Sequence, residues 1–212
     1  MQTTNRELMQ QAREALKGRW GLAIGGSVIY FILAVLISAI PKVGWIGSLI
    51  ISGPLILGLA VFFLSISRKQ ESKLAQLFDG FQRFTQALVA YLLMVLFILL
   101  WTILLVIPGI VAALSYSQTF FILADNPQMA GSDGLRKSKA MMKGNRWKLF
   151  CLFWRFFGWA LLCILSLGIG ILWFLPYLQT SLARFYDDLK EGEGLPIVER
   201  VDPQPAPVIN DK

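Results

Sequence analysis

Four long stretches of this chain contain no charged residue. They cover residues 20–41, 43–67, 84–124 and 156–183 of the 212. A membrane-spanning helix needs about 20 consecutive apolar residues, so the first two stretches are each one helix long. The third is long enough for two helices and contains Pro108-Gly109 near its middle, where we expect the chain to turn. These runs predict membrane spans rather than the core of a soluble domain.

The composition supports this interpretation. Hydrophobic residues make up 56% of the chain and charged residues 16%, whereas a typical soluble domain is ~45–50% apolar and ~25% charged. The chain is therefore expected to be an all-α membrane protein.

The last apolar region is more polar than the others. We expect a fifth helix over residues 147–165, whose ten Leu, Ile and Phe residues favour insertion by about 3–6 kcal/mol. This gain offsets the roughly 2.5–3.5 kcal/mol that a central Arg155 costs. A turn at Gly168-Ile169-Gly170 then leads into a sixth helix over residues 170–185. Because this helix is short and contains Pro176, a re-entrant segment is the alternative to a full crossing.

Positive charge is concentrated in alternate connections between these helices. Cations stand before the first helix, between the second and third, between the fourth and fifth, and after the sixth, whereas the opposite connections hold Lys42 alone. Cytoplasmic loops of membrane proteins carry an excess of Lys and Arg. The bias predicts an even number of crossings with both termini in the cytoplasm, and we expect six crossings arranged as three hairpins.

The segments before the first, third and fifth helices resemble one another. Each is predicted to form an amphipathic helix at the cytoplasmic interface, and each ends in glycine, a cation and an aromatic residue, with the glycines at positions 18, 80 and 144. We therefore expect a membrane domain over residues 1–190 that contains three repeats, 4–67, 72–125 and 133–188. Residues 191–212, which are rich in proline, are expected to form a disordered cytoplasmic tail.

Few side chains suited to catalysis are present. The chain has no histidine, which excludes Ser-His-Asp catalysis and imidazole metal sites. Cys151 and Cys163 are twelve residues apart and form no CxxC pattern, and the adjacent Asp187 and Asp188 point to different sides of a helix. We expect no catalytic residues, no metal site and no cofactor. Nucleic acid is not an expected partner, because the cations flank apolar runs.

Four cations ahead of the fifth helix are the strongest candidates for binding. Each contributes ~1 kcal/mol near an anionic leaflet, so together they contribute about 4 kcal/mol before ordering costs. They are candidates for contact with lipid headgroups, and the alternative is that they only control topology. The four, called the basic set below, are Arg136, Lys139, Lys143 and Arg146.

Polar side chains inside the predicted helices are the other candidates, because they are costly in lipid. Arg155 could contact an anion, pair with Asp125 at the end of the fourth helix, or extend its charge to the interface. Two similar polar runs in the fourth and sixth helices could line a cavity or only hydrogen-bond between helices. Their members are Tyr116, Gln118 and Thr119 in the fourth helix and Tyr177, Gln179 and Thr180 in the sixth.

Several motifs occur in order along the chain. They are REALKGRW at 13–20, LFDGF at 77–81, LLVIPGI at 104–110, YSQ at 116–118, ADNP at 124–127, KSKAMMKG at 137–144, PY at 176–177 and FYDDL at 185–189. Together they resemble the bacterial integral membrane protein family catalogued as domain of unknown function 975, over about residues 6–189. The resemblance implies a multi-helix protein of the bacterial inner membrane, and it implies no activity or catalytic residue.

These observations favour a non-enzymatic membrane protein that acts as a scaffold or accessory protein and contacts anionic lipids or a partner protein. The alternative is a small permease or exporter with a polar path between the fourth and sixth helices. An intramembrane enzyme that modifies lipids ranks last, because no acid–base pair is visible.

Overall fold

The computed structural model describes residues 3–39, 44–165, 168 and 170–194. Within these ranges the chain is helical and contains no strand, as the sequence predicts. The helices of this part of the chain are α1 (Asn5–Leu16), α2 (Trp20–Ser38), α3 (Gly44–Ser67), a 3-10 helix (Leu74–Phe78), α4 (Asp79–Gln82), α5 (Phe84–Leu104), α6 (Val106–Tyr116), α7 (Thr119–Asp125), α8 (Gly131–Met141), α9 (Arg146–Leu165) and α10 (Ile171–Gly192).

Four segments of the described chain are helical, long and apolar enough to cross a membrane. They are Trp20–Ser38, Gly47–Ser67, Phe84–Leu104 and Val106–Asp125, the last of which consists of α6 and α7. These four coincide with the first four predicted spans. Neither α9 nor α10 is among them, so the count of six crossings and the arrangement as three hairpins stay predictions.

The turn within the third apolar stretch lies at Leu105, three residues before the expected Pro108-Gly109 pair. Pro108 instead occupies the first turn of α6, where a missing N–H leaves no helical hydrogen bond unmade. Gly109 allows α5 and α6 to approach closely, because a Cβ at this position would stand 2.8 Å from the Cα of Thr102. A second break, at residues 117–118, separates α6 from α7 and was not expected from the sequence.

The second predicted span, α3, lies at the centre of the bundle. It packs against α2, α5, α7 and α10, and its side chains Leu57, Phe62 and Phe63 are fully buried. In the most apolar 18-residue stretch of α3, 72% of the residues are buried, compared with 17% in that of α2 and 11% in that of α5. The outward apolar surfaces of α2 and α5 are large, and Leu100, for example, is 61% exposed. Such surfaces are suited to contact with lipid.

The predicted amphipathic helix α1 is present, and it begins with a capping box between Thr4 and Glu7. Its apolar face, which includes Leu8, Ala12 and Leu16, is buried. However, this face packs against α10, α3 and α9 and not on a membrane surface. The correction has a physical reason, because the C-terminal half of α10 presents its own apolar face for α1 to cover.

The other two predicted amphipathic helices have different outcomes. In the third segment, α8 buries Leu135 and Ser138, and the Ser138 hydroxyl donates to the carbonyl oxygen of Ser115 at 2.8 Å. The second segment forms no continuous helix and is divided into the 3-10 helix and α4. Of the apolar side chains in this segment, Leu77 is buried, whereas Phe78 is 49% exposed.

Glycine ends α1 and α8 in the same way. Gly18 and Gly144 follow these helices with φ values of +81° and +89°, a left-handed conformation that glycine adopts without steric cost. In contrast, Gly80 allows close packing, because a Cβ there would stand 1.9 Å from the carbonyl oxygen of Pro54. The three predicted repeats stay a prediction.

The last helix is longer than expected. α10 continues through Gly192, seven residues beyond the predicted end of the sixth helix at residue 185. Residues 191 and 192 of the predicted tail are therefore helical, and residues 195–212 lie outside the described part of the chain. The extension carries Asp187, Asp188 and Lys190 on a regular helix and places them in the protein interior.

Candidate functional site

Three helix ends from distant parts of the chain meet at a buried group of charges. Arg68 directly follows α3, Asp125 ends α7, and Asp187 and Lys190 lie near the end of α10. We call these four residues the ion cluster. Their side chains are between 4% and 7% exposed. The cluster holds two positive and two negative charges, which satisfies the requirement that buried charges be paired.

Arg68 is the centre of the ion cluster. Its Nη1 and Nη2 atoms donate to the two carboxylate oxygens of Asp125 at 2.6 and 3.1 Å. Its Nε and Nη2 atoms donate to Oδ1 of Asp187 at 3.1 and 2.7 Å. Burial by itself disfavours the charged guanidinium, but the hydrogen bonds to both carboxylates more than compensate and raise the pKa of Arg68. Lys190 Nζ at 2.6 Å and the Tyr186 hydroxyl at 3.1 Å complete the donors to Asp125.

Asp187 depends most strongly on Arg68. Its Oδ2 atom is buried and has no hydrogen-bond partner among the described residues. Burial raises the pKa of Asp187 above its ordinary value, and the hydrogen bonds from Arg68 oppose this shift without reversing it. Asp187 is therefore the carboxylate that loss of Arg68 would affect most.

A second ion pair lies on the other side of α10. Lys148 Nζ donates to Oδ2 of Asp188 at 2.6 Å, and the backbone nitrogen of Thr3 donates to Oδ1 at 2.7 Å. Burial raises the pKa of Asp188, but the hydrogen bonds from Lys148 and Thr3 outweigh burial and lower it overall. The pair joins the N-terminal segment to α9 and α10. Asp187 and Asp188 thus face different partners, as their adjacency predicts.

Asp125 does not form the ion pair that was one alternative for Arg155. Its partners are Arg68, Tyr186 and Lys190. Arg155 is exposed and lines a groove beside α1. The alternative was wrong because the end of α7 faces α3 and α10, which supply closer donors.

The basic set lies mainly on the surface. Lys139 and Lys143 are exposed, and the side chain of Arg136 is 84% exposed, with its Nη1 atom 3.9 Å from Asp133. Arg146 is half-buried, and its Nε atom has no partner among the described residues. Lys139 and Arg146 line one cleft of about 330 Å³, together with Tyr116 and apolar residues of α5 and α6. The structure therefore brings together three of the sequence-based candidates.

The two polar runs bond mainly to their own helices. Thr119 donates to the carbonyl oxygen of Tyr116 at 2.7 Å, and Thr180 donates to that of Pro176 at 2.7 Å. Gln118 is buried; its Nε2 atom lies 3.3 Å from the Ser117 hydroxyl, and its Oε1 atom has no partner among the described residues.

The remaining two members of these runs are placed differently. The Tyr177 hydroxyl donates to the carbonyl oxygen of Met9 at 3.2 Å and so links α10 to α1. Gln179 is half-buried. Among the described residues, the polar runs thus contribute hydrogen bonds near their own positions in the chain and one hydrogen bond between distant helices, from Tyr177 to Met9.

Sequence reasoning missed most of the buried ion pairs. It treated Arg68, Lys148 and Lys190 only as markers of topology. One signal was available, because Arg68 and Asp125 each stand at the C-terminal end of a charge-free run and Asp187 stands close to such an end. Residues in equivalent positions of successive hairpins meet if the hairpins lie side by side. In the described part of the chain, no group of three or more Cys, Asp or Glu residues could hold a metal ion.

Comparison with known proteins identifies one family. The model of the family described as "Protein of unknown function (DUF975)" matches residues 1–115 and 102–193, which together cover most of the chain. No curated protein and no solved structure matches the chain.

Proposed function

The chain belongs to the DUF975 family of proteins of unknown function, and we propose that it is a non-enzymatic scaffold or accessory protein of the bacterial inner membrane that contacts anionic lipids. The proposal includes six crossings with both termini in the cytoplasm. A membrane-protein partner is compatible with the same role. Four apolar candidate spans support the membrane location.

The observation that carries the proposal is a row of aromatic side chains on α9 that begins directly after Arg146, the last residue of the basic set. We call this row the aromatic ladder: Trp147, Phe150, Trp154 and Phe157. Successive ring centroids are 5.3, 6.3 and 5.6 Å apart, and Trp147 is 73% exposed. Tryptophan residues concentrate at membrane–water interfaces, and cations near the cytoplasmic interface are attracted to anionic headgroups.

The exposed surfaces of α9 and α10 support the fifth and sixth crossings. Leu162 and Leu165 of α9 are 60% and 84% exposed, and Trp173 of α10 is 51% exposed. Side chains of this size are costly in water, and lipid would remove the cost. Arg155 lies nine residues from the start of α9 and can extend its charge toward the cytoplasmic interface.

A permease remains the second candidate, and one observation favours it. The Oε1 atom of buried Gln118, which has no hydrogen-bond partner in the described part of the chain, could face a polar path. However, such a path between the fourth and sixth helices would meet the ion cluster at the ends of α7 and α10. Proteoliposomes that move no solute, or in which replacing Gln118 and Gln179 leaves transport unchanged, would contradict this candidate.

The lipid-contact proposal can be tested by reversing exposed charges. We expect Lys139→Glu with Lys143→Glu to reduce the amount of phosphatidylglycerol that co-purifies with the protein from mixed micelles. The loss of two cations alone, worth about 2 kcal/mol, corresponds to a roughly 30-fold weaker association, and the two added carboxylates weaken it further. Native mass spectrometry of the detergent-solubilised protein would count the bound lipids.

The matched control is Lys69→Glu with Lys73→Glu, which changes the net charge equally in a different exposed loop. Lipid retention in the control is expected to stay close to that of the unmodified protein. Equal retention in all three proteins would refute the role of the basic set. Equal losses in the two double variants would show that only the net charge matters.

A further inference from the structure

A groove runs between the N-terminal segment and the last two helices. Its outer part, about 930 Å³ in volume, lies between α1, the start of α2 and α9. Its inner part, about 340 Å³, continues between α9 and α10. Arg13, Trp20, Trp159 and Tyr177 line both parts, which makes the space continuous. Both volumes fall in the ~300–1,000 Å³ range of ligand sites.

The inner part of the groove is apolar. Leu162, Cys163, Trp173 and Phe174 line it, and Arg13 is the only charged residue in contact with it among the described residues. Leu162 is also 60% exposed on the outside of the bundle. The inner part therefore opens toward the surface that we assign to lipid, and its occupant must be apolar.

The outer part is strongly basic. Its cations are Arg6, Arg13, Lys17 and Arg155, and its only carboxylate among the described residues belongs to Glu14. Glu14 accepts a hydrogen bond from Gln10 at 3.2 Å. None of the four cations forms an ion pair with a described residue.

The contrast with the rest of the molecule is informative. The chain pairs Arg68, Lys148 and Lys190 with its own carboxylates, but it gathers four cations around this groove with one carboxylate between them. Four like charges around a shared space repel one another, and an anion placed among them relieves that repulsion. Arginine is well suited to bind phosphate, because its guanidinium can donate two parallel hydrogen bonds.

We propose that the groove binds one anionic glycerophospholipid from the bilayer. Its phosphate lies in the outer part near Arg13 and Arg155, and an acyl chain lies in the inner part against Trp159. Arg13 is placed for this role by its position over the Tyr177 ring, 5.8 Å from the ring centroid. A soluble phosphate compound would leave the apolar inner part filled only with water. The inference rests on the proposed membrane location but names a lipid site separate from the basic set.

The test compares lipid retention by the full-length protein and two double variants. The protein is purified from micelles that contain phosphatidylglycerol and phosphatidylcholine, and bound lipids are counted by native mass spectrometry. In the unmodified protein we expect one phosphatidylglycerol to persist at high detergent. Arg13→Gln with Arg155→Gln is expected to weaken its binding roughly 30-fold, equivalent to about 2 kcal/mol. The control, Lys69→Gln with Lys73→Gln, removes the same charge elsewhere and is expected to retain the lipid.

Two further measurements test the inference if the double variant does not fold. Arg155→Gln alone alters an exposed side chain, so it is expected to fold and to lose part of the binding even if the double variant is unstable. Glycerol 3-phosphate at millimolar concentration should not displace the lipid, and displacement would show that the site serves soluble anions.

Retention of the lipid by both the single and the double variant would overturn the inference. If the variant of Lys139 and Lys143 loses lipid in the same assay, the proposed function stands without the groove. If all the variants retain lipid equally, both proposals fail.

Discussion

Replacing Arg68 with methionine is the most informative perturbation of the fold. Arg68 makes four hydrogen bonds to Asp125 and Asp187, and its side chain is 7% exposed. Methionine keeps the apolar stem of the side chain and removes the charge. Breaking a buried ion pair by removing one partner costs about 3–5 kcal/mol, because the remaining charge is left uncompensated. We expect a loss of this size, since two carboxylates lose donors and Lys190 can compensate only Asp125.

Thermal unfolding in detergent, followed by intrinsic tryptophan fluorescence, measures the effect. A chain of this length loses roughly 2–4 °C of melting temperature per kcal/mol, so Arg68→Met is expected to melt about 6–20 °C lower. The control is Lys69→Met, which removes the same charge at the next residue. Lys69 is exposed, and its replacement is expected to change the stability by less than about 0.5 kcal/mol.

The pH dependence gives an independent check on the cause. Burial already raises the pKa of Asp187 above its ordinary value, and without Arg68 only the positive charge of Arg184 opposes that shift. A carboxylate with a raised pKa in the folded state destabilises the fold above that pKa, and protonation removes the penalty below it. The deficit of Arg68→Met relative to the unmodified protein should therefore shrink as the pH falls through that raised pKa. A variant that melts within 2 °C of the unmodified protein, or a deficit independent of pH, would refute this reasoning.

Three other predictions concern separate parts of the molecule. Asp188→Asn removes the partner of Lys148 and is expected to cost roughly 1.5–3 kcal/mol at pH 7 in thermal unfolding. The pKa of Asp188 in the unmodified protein is lowered in the folded state. The stabilisation from Asp188 is therefore present at neutral pH and is lost as the pH falls through that lowered pKa. Gly58→Ala would place a Cβ 1.9 Å from the carbonyl oxygen of Leu77, so α3 must shift and the melting temperature should fall. In the control Gly25→Ala, the added Cβ meets no atom within 4 Å, and the melting temperature should stay close to that of the unmodified protein. Raising the salt concentration from 0.1 to 1 M shortens the screening length from about 10 to 3 Å and should weaken phosphatidylglycerol retention in the same mass-spectrometry assay.

The helical class and the positions of the first four apolar spans could be predicted because they depend on local properties. A charge-free run of about 20 residues can be recognised within a short stretch of sequence, and so can the glycines and prolines that mark turns. The capping box at Thr4 and the left-handed glycines after α1 and α8 are also local. The partner of an amphipathic face is not local, and for this reason the burial of α1 against α10 was missed.

The ion cluster shows the same limit more clearly. Arg68 and Asp187 are 119 residues apart in sequence, and nothing in the sequence near either residue identifies the other. Asp125 was singled out because a charge near lipid is costly, but its partner depended on how α3, α7 and α10 pack. The second amphipathic segment was also misjudged, because its apolar spacing favours a helix whereas contact with α3 favours two short turns.

The orientation of the apolar helices in a bilayer can be tested directly by cysteine labelling in cells. In a background with Cys151→Ser and Cys163→Ser, a single cysteine is placed by Lys42→Cys or Lys73→Cys. We expect a membrane-impermeant maleimide to label Lys42→Cys in intact spheroplasts and to label Lys73→Cys only after lysis. The opposite labelling pattern, or recovery of the protein in the soluble fraction, would contradict the account.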